Sequence, residues 1–449
     1  MALGKRRGQQ QEMWVATTNL PKSEGHVFYR KLSEILAEAG FDRWVEQECR
    51  SYYHNHLGRP SIPPGVYFRM LLVGYFEGIG SQRGIAWRCG DSLSLRAFLG
   101  VPLVEETPDH SSLTRVRDRL PLEVHASVFQ WVLKVAAEKG LLRGKTVAVD
   151  ATTLEANAAM KTIVRRDTGE DWNDYLRRLM QEQEGAENPT DEELRRFDRT
   201  RKDKRVSNDE WTSPTDPDSR IAKMKDGRTH LAYKAEHVVD LETELVLAAS
   251  IRHANEGDAD TLVDSVMEAQ ANLTEAEIDV EIEEAVADKG YHATETLELA
   301  DSLNIRTYIP ERKPKGKRNW KNVSAAARRA FLNNRRRVRG ARSKRLQRLR
   351  SELVERSFAH MCGTGGARRS WLCGIEKVQK RYLIAAVARN LGLVMRKLFG
   401  IGTPRGLQAG FGLAWLPPSV QINRGILSQH RYYASSRWHA ADDRYALAA

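Results

Sequence analysis

Two aspartates and a later glutamate pose the chemical question. "GKTVAVDATTLEANAAM", residues 144–160, reads as an apolar strand over Thr146–Val149 that delivers Asp150 at its carboxyl end, with two threonines and a helix-like run behind it. "DVEIEEAVADKGYHA" repeats the arrangement, stopping on Asp288 before Lys-Gly. An aspartate in such a place is either a turn-former and helix cap, or a metal ligand or general base held on a rigid strand. Later, Glu352 and Glu355 lie three apart in "SELVERSFAHM", on a helix that follows a strongly basic segment. Two Asp from strand ends and one Glu from a helix form an all-oxygen donor set suited to hard divalent cations. Two such ions about 4 Å apart stabilise both the attacking and the leaving oxygen in phosphodiester cleavage. The chain has 59 acidic residues, so position and not residue type singles these out.

The charge balance names a substrate of the same kind. A net charge of +12 over 449 residues points to a polyanion, with nucleic acid first among candidates. Seventeen Lys and Arg fall between residues 312 and 350, more than a solvated helix face requires, and they read as a phosphate-contacting surface. Phe331, Leu332, Val338, Leu346 and Leu349 within it favour an ordered helical segment over a disordered basic tail. Four scattered cysteines without a CxxC pair argue against a zinc ribbon or a disulfide framework and suit a reducing cytosol. No run of eighteen apolar residues marks a membrane span, and "MALGKRRGQQQ" lacks the apolar stretch of a secretory signal.

The length allows two or three domains to position these groups. Residues 26–140 read as mostly helical, broken by "LGRPSIPPG" and followed by the apolar helix "VYFRMLLVGYFEGI". In "TPDHSSLTRVRDRLP", Asp109 or Ser111 is an N-cap, with Leu113, Val116 and Leu120 on one side and Arg115, Arg117 and Arg119 elsewhere. This helix reads either as an ordinary solvated one or as the second helix of a helix-turn-helix. The stretch 161–225 reads as an insertion too polar to build a core, carrying one or two surface helices. "THLAYKAEHVVD" and "LVLAASIRHA" flank the turn "LETE" as a β-hairpin. "DADTLVDSVMEAQANL" and "TETLELADSLN" are helices, and "IRTYIP" is a short strand. The order strand, hairpin, helix, strand, helix, strand predicts one mixed α/β sheet.

Long blocks in order through nearly the whole chain resemble a bacterial insertion-sequence transposase of the DDE class. They include "RPSIPPGVYFRMLLVGYFEGIGSQRGIAWRCGDSLSLRAFLG", "PDHSSLTRVRDRL", "VDATTLEANAAMKTIVRRDTGE", "VADKGYHA" and "ELVERSFAHMCGTGGARRSWLCGIEKV". The resemblance implies an α/β fold with an RNase H-like mixed-sheet catalytic core over 144–400, interrupted by the 161–225 insertion. Residues 26–140 would be a helical DNA-end-binding region, with a basic segment over 1–25 before it and a tail over 401–449 behind. It implies two Mg2+ ions (Mn2+ as an alternative) on Asp150, Asp288 and Glu355. Its partners would be the terminal inverted repeats and target DNA, with a homodimer in the synaptic complex, in the bacterial cytoplasm at the nucleoid. Related enzymes carry Tyr and Arg before the glutamate and Lys after it; here Arg348, Ser351 and Cys362 stand at those places. Arg356 or Lys377 would then supply the phosphate contacts. His360 reads as a DNA contact or as a structural hydrogen-bonding residue. Arg335, Arg336 and Arg337 are the phosphate contacts expected of the basic segment, and Arg115, Arg117 and Arg119 the contacts to phosphate or base edges expected of the end-binding helix.

Three rivals share part of the pattern. A two-carboxylate glycosidase leaves the basic segment unexplained. A DNA-binding protein derived from a transposase would lack one of the acids, and all three are present. A nuclease without strand transfer shares the core chemistry.

Overall fold

A computed structural model describes residues 16, 25–54, 58, 60–185, 189–201, 206–224, 227–312, 320–321 and 323–406. The basic N-terminal segment and the tail expected from 401 therefore lie almost wholly outside the described residues. The chain divides after Gly402 into two compact units, so the helices and the sheet described below belong to one unit.

Helices come first: α1 (Val27–Glu38), α2 (Phe41–Cys49), α3 (Pro64–Glu77), α4 (Gln82–Gly90), α5 (Leu93–Leu99), α6 (His110–Arg119) and α7 (Leu122–Glu138). Pro64 starts α3 where no backbone donor is needed, and Gly78, at φ 72°, ends it in the left-handed conformation that glycine adopts without strain. Between them Tyr67, Phe68, Met70, Leu72, Val73 and Phe76 are buried, so α3 is the central helix of this region. Phe28 packs edge-on against its Phe76 and Phe41 against its Phe68, with Trp131 tilted against Phe41. Asp109 caps α6 by accepting the Ser112 backbone N–H at 2.7 Å, with Leu113 and Val116 turned inward. Helix α14 (Ile375–Phe399), buried over most of its length, packs along α7 and against α3.

The sheet is built from β1 (Thr146–Glu155), β4 (Arg220–Lys223), β5 (Thr229–Asp240), β6 (Val246–His253), β7 (Glu284–Val286) and β8 (Arg306–Tyr308). β5 pairs antiparallel with β1 on one edge and with β4 and β6 on the other. β7 lies parallel to β1, and β8 parallel to β7. An antiparallel three-strand meander extended by two parallel strands, with helices α10 (Asp258–Glu275), α11 (Thr294–Ser302), α12 (Ala325–Val338) and α13 (Ala341–Phe358), is an RNase H-like core.

Two expectations are corrected. β1 does not stop at Asp150 but continues to Glu155, because its antiparallel pairing with β5 runs on to Glu155↔Ala232. The two threonines and the start of the run behind them, Leu154 and Glu155, are strand and not helix, as β-branched residues with a pairing partner favour. The 161–225 insertion also builds a small core of its own. It holds β2 (Val164–Arg165), β3 (Trp211–Thr212), α8 (Trp172–Glu184) and α9 (Asp191–Thr200). Leu176, Leu194 and Phe197 are buried there beneath Trp172, Leu179 and Met180. The Arg165 guanidinium lies over Tyr175 and Trp211 at 5.3 and 5.8 Å, and Arg201 over Trp172 at 5.6 Å. Flat arginine faces thus do packing that apolar residues do elsewhere.

Candidate active site

The parallel register between β1 and β7 decides the placement of the two aspartates. Its last pair is Ala148↔Val286, and Asp150 and Asp288 each lie two residues further on. Side chains alternate with a period of two, so both acids leave neighbouring strands at the same level. Asp150 is half-buried and stands opposite His237 of β5. Its Oδ1 accepts the Ala151 N–H at 2.8 Å, and its Oδ2 accepts Nη1 of Arg350 at 2.5 Å. Asp288 begins the short 3-10 turn Lys289–Tyr291, with its Oδ1 accepting the Gly290 N–H at 2.6 Å. A Cβ at Gly290 would come 2.8 Å from that Oδ1 and 3.0 Å from Oδ2 of Asp258, so any side chain there would displace both carboxylates. Asp258, on the first turn of α10, is thereby a further carboxylate beside Asp288, held by Lys234 at 2.9 Å. In the sequence it reads only as a helix start.

A buried network supports this turn. The Glu236 carboxylate has no solvent exposure and accepts the Tyr291 hydroxyl at 2.7 Å and that of Thr261 at 3.0 Å, along with the Ser265 hydroxyl. Lys234 and Arg252 stand 3.6 and 3.3 Å from it. Burial pushes the Tyr291 phenol far above its ordinary value, and Glu236 adds to the push, so this hydroxyl remains a donor. Tyr291, three residues past Asp288, is pinned to the strand beneath it.

Helix α13 crosses the same ends of the sheet. Gln347 donates to the Ala287 and Tyr308 carbonyls at 3.0 and 2.7 Å, and Arg350 reaches Asp150. Ser357 hydrogen-bonds Nδ1 of His237 at 2.7 Å, whose Nε2 meets the Tyr382 hydroxyl at 2.7 Å. Phe358 stacks on that imidazole at 4.0 Å, and burial drives the imidazole well below its ordinary pKa. Glu355 points to the opposite, exposed side of α13, as does Glu352. Among the described residues no three of His, Cys, Asp and Glu converge closely enough to hold a metal ion. The structure therefore brings Asp150 and Asp288 together and leaves Glu355 apart from them. Two carboxylates at one level fit a hard cation, and a guanidinium already stands in for such a charge at Asp150.

A family model described as Transposase DDE domain matches residues 144–391, more than half of the chain, and one described as Transposase domain (DUF772) matches residues 18–119. The chain belongs to the DDE transposases. No curated protein and no solved structure matches it. It is thus a DNA-binding, DNA-cleaving enzyme by family, and no described helix is long and apolar enough to cross a membrane.

The remaining basic residues of the transposase fall into two kinds. Arg115 and Arg119 are exposed on α6; Arg115 folds back on Ser111, and Arg119 lies over Tyr53 at 5.0 Å. Arg117 is turned inward beside Asp118 at 3.5 Å, with 12% of its side chain exposed. On α12, Arg336 is exposed, whereas Arg335 forks onto Glu311 at 2.5 and 2.8 Å and Arg337 donates to the Thr307 carbonyl at 3.0 Å. Lys377 lies 3.6 Å from Asp118, and Arg356 is paired with Glu244 at 2.8 Å and Glu352 at 2.5 Å. Arg342, tied to Glu284 of β7, and Arg350 are sheet-anchoring arginines that charge counting alone does not separate from DNA contacts.

Proposed function

We propose that this transposase cleaves the phosphodiester bonds at the ends of an insertion element and joins those ends to target DNA, with Asp150 and Asp288 as its central acids. The observation that supports the reading is that each lies two residues past the last pair, Ala148↔Val286, of two adjacent parallel strands. Asp150 and Asp288 would hold Mg2+ or Mn2+, with Glu355 as the third carboxylate. Bound there, two ions supply the charge that activates water or a 3′-hydroxyl and stabilises the leaving 3′-oxygen. Asp288 contributes a carboxylate whose direction the Gly290 N–H and the Tyr291–Glu236 anchor fix, so little reorganisation is needed when a phosphate arrives. Arg350, now on Asp150, is placed to exchange that carboxylate for a DNA phosphate. Residues 26–140 form the end-binding region, in which the exposed Arg115 and Arg119 meet phosphate or base edges. The reaction proceeds in a synaptic homodimer.

The test is Asp150→Asn and Asp288→Asn, each assayed for end cleavage and for gel-shift affinity. Each amide keeps the shape and loses the charge, so cleavage should vanish while binding and folding persist. Cleavage at the native rate by either variant would remove that residue from the site. Native proteins that bind ends without cutting them under Mg2+ or Mn2+ would favour a DNA-binding protein derived from a transposase, and cutting without joining a plain nuclease.

A further inference from the structure

At the far end of α13 three arginines gather round one glutamate, two by its carboxylate and one at its main-chain carbonyl. Glu244 sits in the turn between β5 and β6 at φ 70°, a left-handed conformation that strains a residue with a Cβ. Its Oε1 accepts Nη1 of Arg356 at 2.8 Å, Nη2 of Arg396 lies 4.0 Å from Oε2, and its main-chain carbonyl accepts Nη1 of Arg389 at 2.7 Å. Arg389 and Arg396 are seven residues apart on α14 and share a face. The Arg389 side chain is 3% exposed, yet its Nε and Nη2 have no hydrogen-bond partner, and neither has Oε2 of Glu244. Unused buried guanidinium N–H groups are costly, and native structures rarely leave them so. His360 stands in the same field: burial lowers its pKa, and Arg389, Arg396 and Arg356 lower it further. Burial, with Arg396 and Arg356 contributing, brings Arg389 itself down to about 10.

One glutamate in a strained turn does not satisfy them: Arg396 stands beyond hydrogen-bond reach of its carboxylate, and Arg389 meets only its main-chain carbonyl. A tetrahedral oxyanion would, because it offers more acceptor oxygens and suits the planar fork of arginine. We propose that Arg356, Arg389 and Arg396 form a phosphate-binding site whose occupant is a backbone phosphodiester of DNA, and that Glu244 holds its place in the DNA-free protein. DNA is favoured over a free ion because Arg356 and Arg396 keep 33% and 44% of their side chains exposed, so that a strand can pass across the opening. The choice of DNA rests on the transposase reading; the anion site itself does not.

The experiment compares Glu244→Gln with Glu352→Gln. Each removes one negative charge and one partner of Arg356, but only the first empties the cluster. Duplex affinity should rise about tenfold for Glu244→Gln, as expected for about 1.4 kcal/mol, and less than about twofold for Glu352→Gln. In the same proteins the thermal midpoint should rise on exchanging chloride for inorganic phosphate at constant ionic strength, for Glu244→Gln alone. Arg389→Lys in the Glu244→Gln background should cancel both effects. Glu244→Gly, which also relieves the left-handed strain, replaces Glu244→Gln if that variant folds poorly. Equal small gains from both glutamine variants would show only a general change of charge and overturn the site. A phosphate response without a gain in DNA affinity would overturn the assignment to DNA and leave a free-anion site. Because the phosphate response needs no cleavage, it stands or falls separately from the catalytic reading.

Discussion

Replacing Arg350 with alanine removes one partner of Asp150 without touching the carboxylate itself, and the consequence can be sized. The pair is 2.5 Å long, with 13% of the arginine side chain and 24% of the aspartate side chain exposed, so it is neither fully hydrated nor fully desolvated. A hydrogen bond between charged groups in such a setting contributes about 1.5–3 kcal/mol net. A divalent cation that binds Asp150 must break this bond and then sit beside a displaced positive charge; both terms oppose binding. Arg350→Ala should therefore bind Mn2+ about 10–100-fold more tightly than the native protein in the absence of DNA. Arg350→Lys, which keeps the charge but loses the fork, should fall between them. The fold should persist, because β1 is paired on both edges and Gln347 still ties α13 to β7 and β8. Electron paramagnetic resonance of free Mn2+ measures the affinity directly, with Asp150→Asn added to Arg350→Ala as the control. Equal affinities in the native and Arg350→Ala proteins, or a gain that survives Asp150→Asn, would refute the claim that Arg350 competes with the cation.

Further outcomes follow from the same geometry. Glu355→Gln should abolish cleavage while Glu352→Gln, which only removes an i,i+4 partner of Arg356, should retain it; the reverse order in a cleavage assay would move the third acid to Glu352. Arg336→Ala with Arg339→Ala, both exposed, should weaken binding to any duplex and lower the slope of log affinity against log salt by about 0.9 for each phosphate no longer neutralised. Arg335→Ala should instead lower the thermal midpoint, since its fork holds Glu311. His125 is buried between the Pro121 carbonyl and the Tyr67 hydroxyl, and burial lowers its pKa to about 4. The unfolded chain then takes up the proton first, so its stabilising contribution is complete above pH 6.5 and is lost as pH falls towards 4. Urea midpoints should drop over that window by an amount worth at most about 3 kcal/mol, and His125→Gln should flatten the drop.

Much of the sheet was legible because its strands carry their own signals. The β5–β6 hairpin announces itself by two apolar runs round "LETE", and the two aspartates by the apolar runs that lead up to them. β1 beyond Asp150 was not legible, since "ATTLE" becomes strand only through β5, whose pairing residues lie about eighty positions later. The insertion misled for another reason. Its arginines count as polar in any window, yet Arg165 and Arg201 spend their flat faces on Trp172, Tyr175 and Trp211. Nothing local distinguishes Arg350, which pairs with Asp150, from Arg348, which is exposed, in a run of seventeen cations. The Glu236 network and the left-handed Glu244 likewise exist only in the folded chain.

In the proposed mechanism helix α13 would set the order in which the acids act. Arg350 and Glu355 are five residues apart, which on an α-helix is about 140° round the axis. A helix that points Arg350 at Asp150 must turn Glu355 towards solvent, and that is how α13 lies. Gln347 and Ser357 hold it in this orientation from either side of Arg350, through the ends of β7 and β8 and through His237. For Glu355 to share a cation with Asp150, the Arg350 tie must release and α13 must turn against the other two. DNA supplies what can compensate: phosphate for Arg350, and, in the proposed site, phosphate for Arg356 on the next turn. On the proposed reading the third carboxylate would be recruited by substrate, and the DNA-free protein would bind its cation through the two aspartates. On that ordering Glu355→Gln leaves Mn2+ affinity unchanged without DNA and lowers it with cleavable ends bound. An equal loss in both states would place Glu355 at the cation from the start and require α13 to be turned already in the free protein.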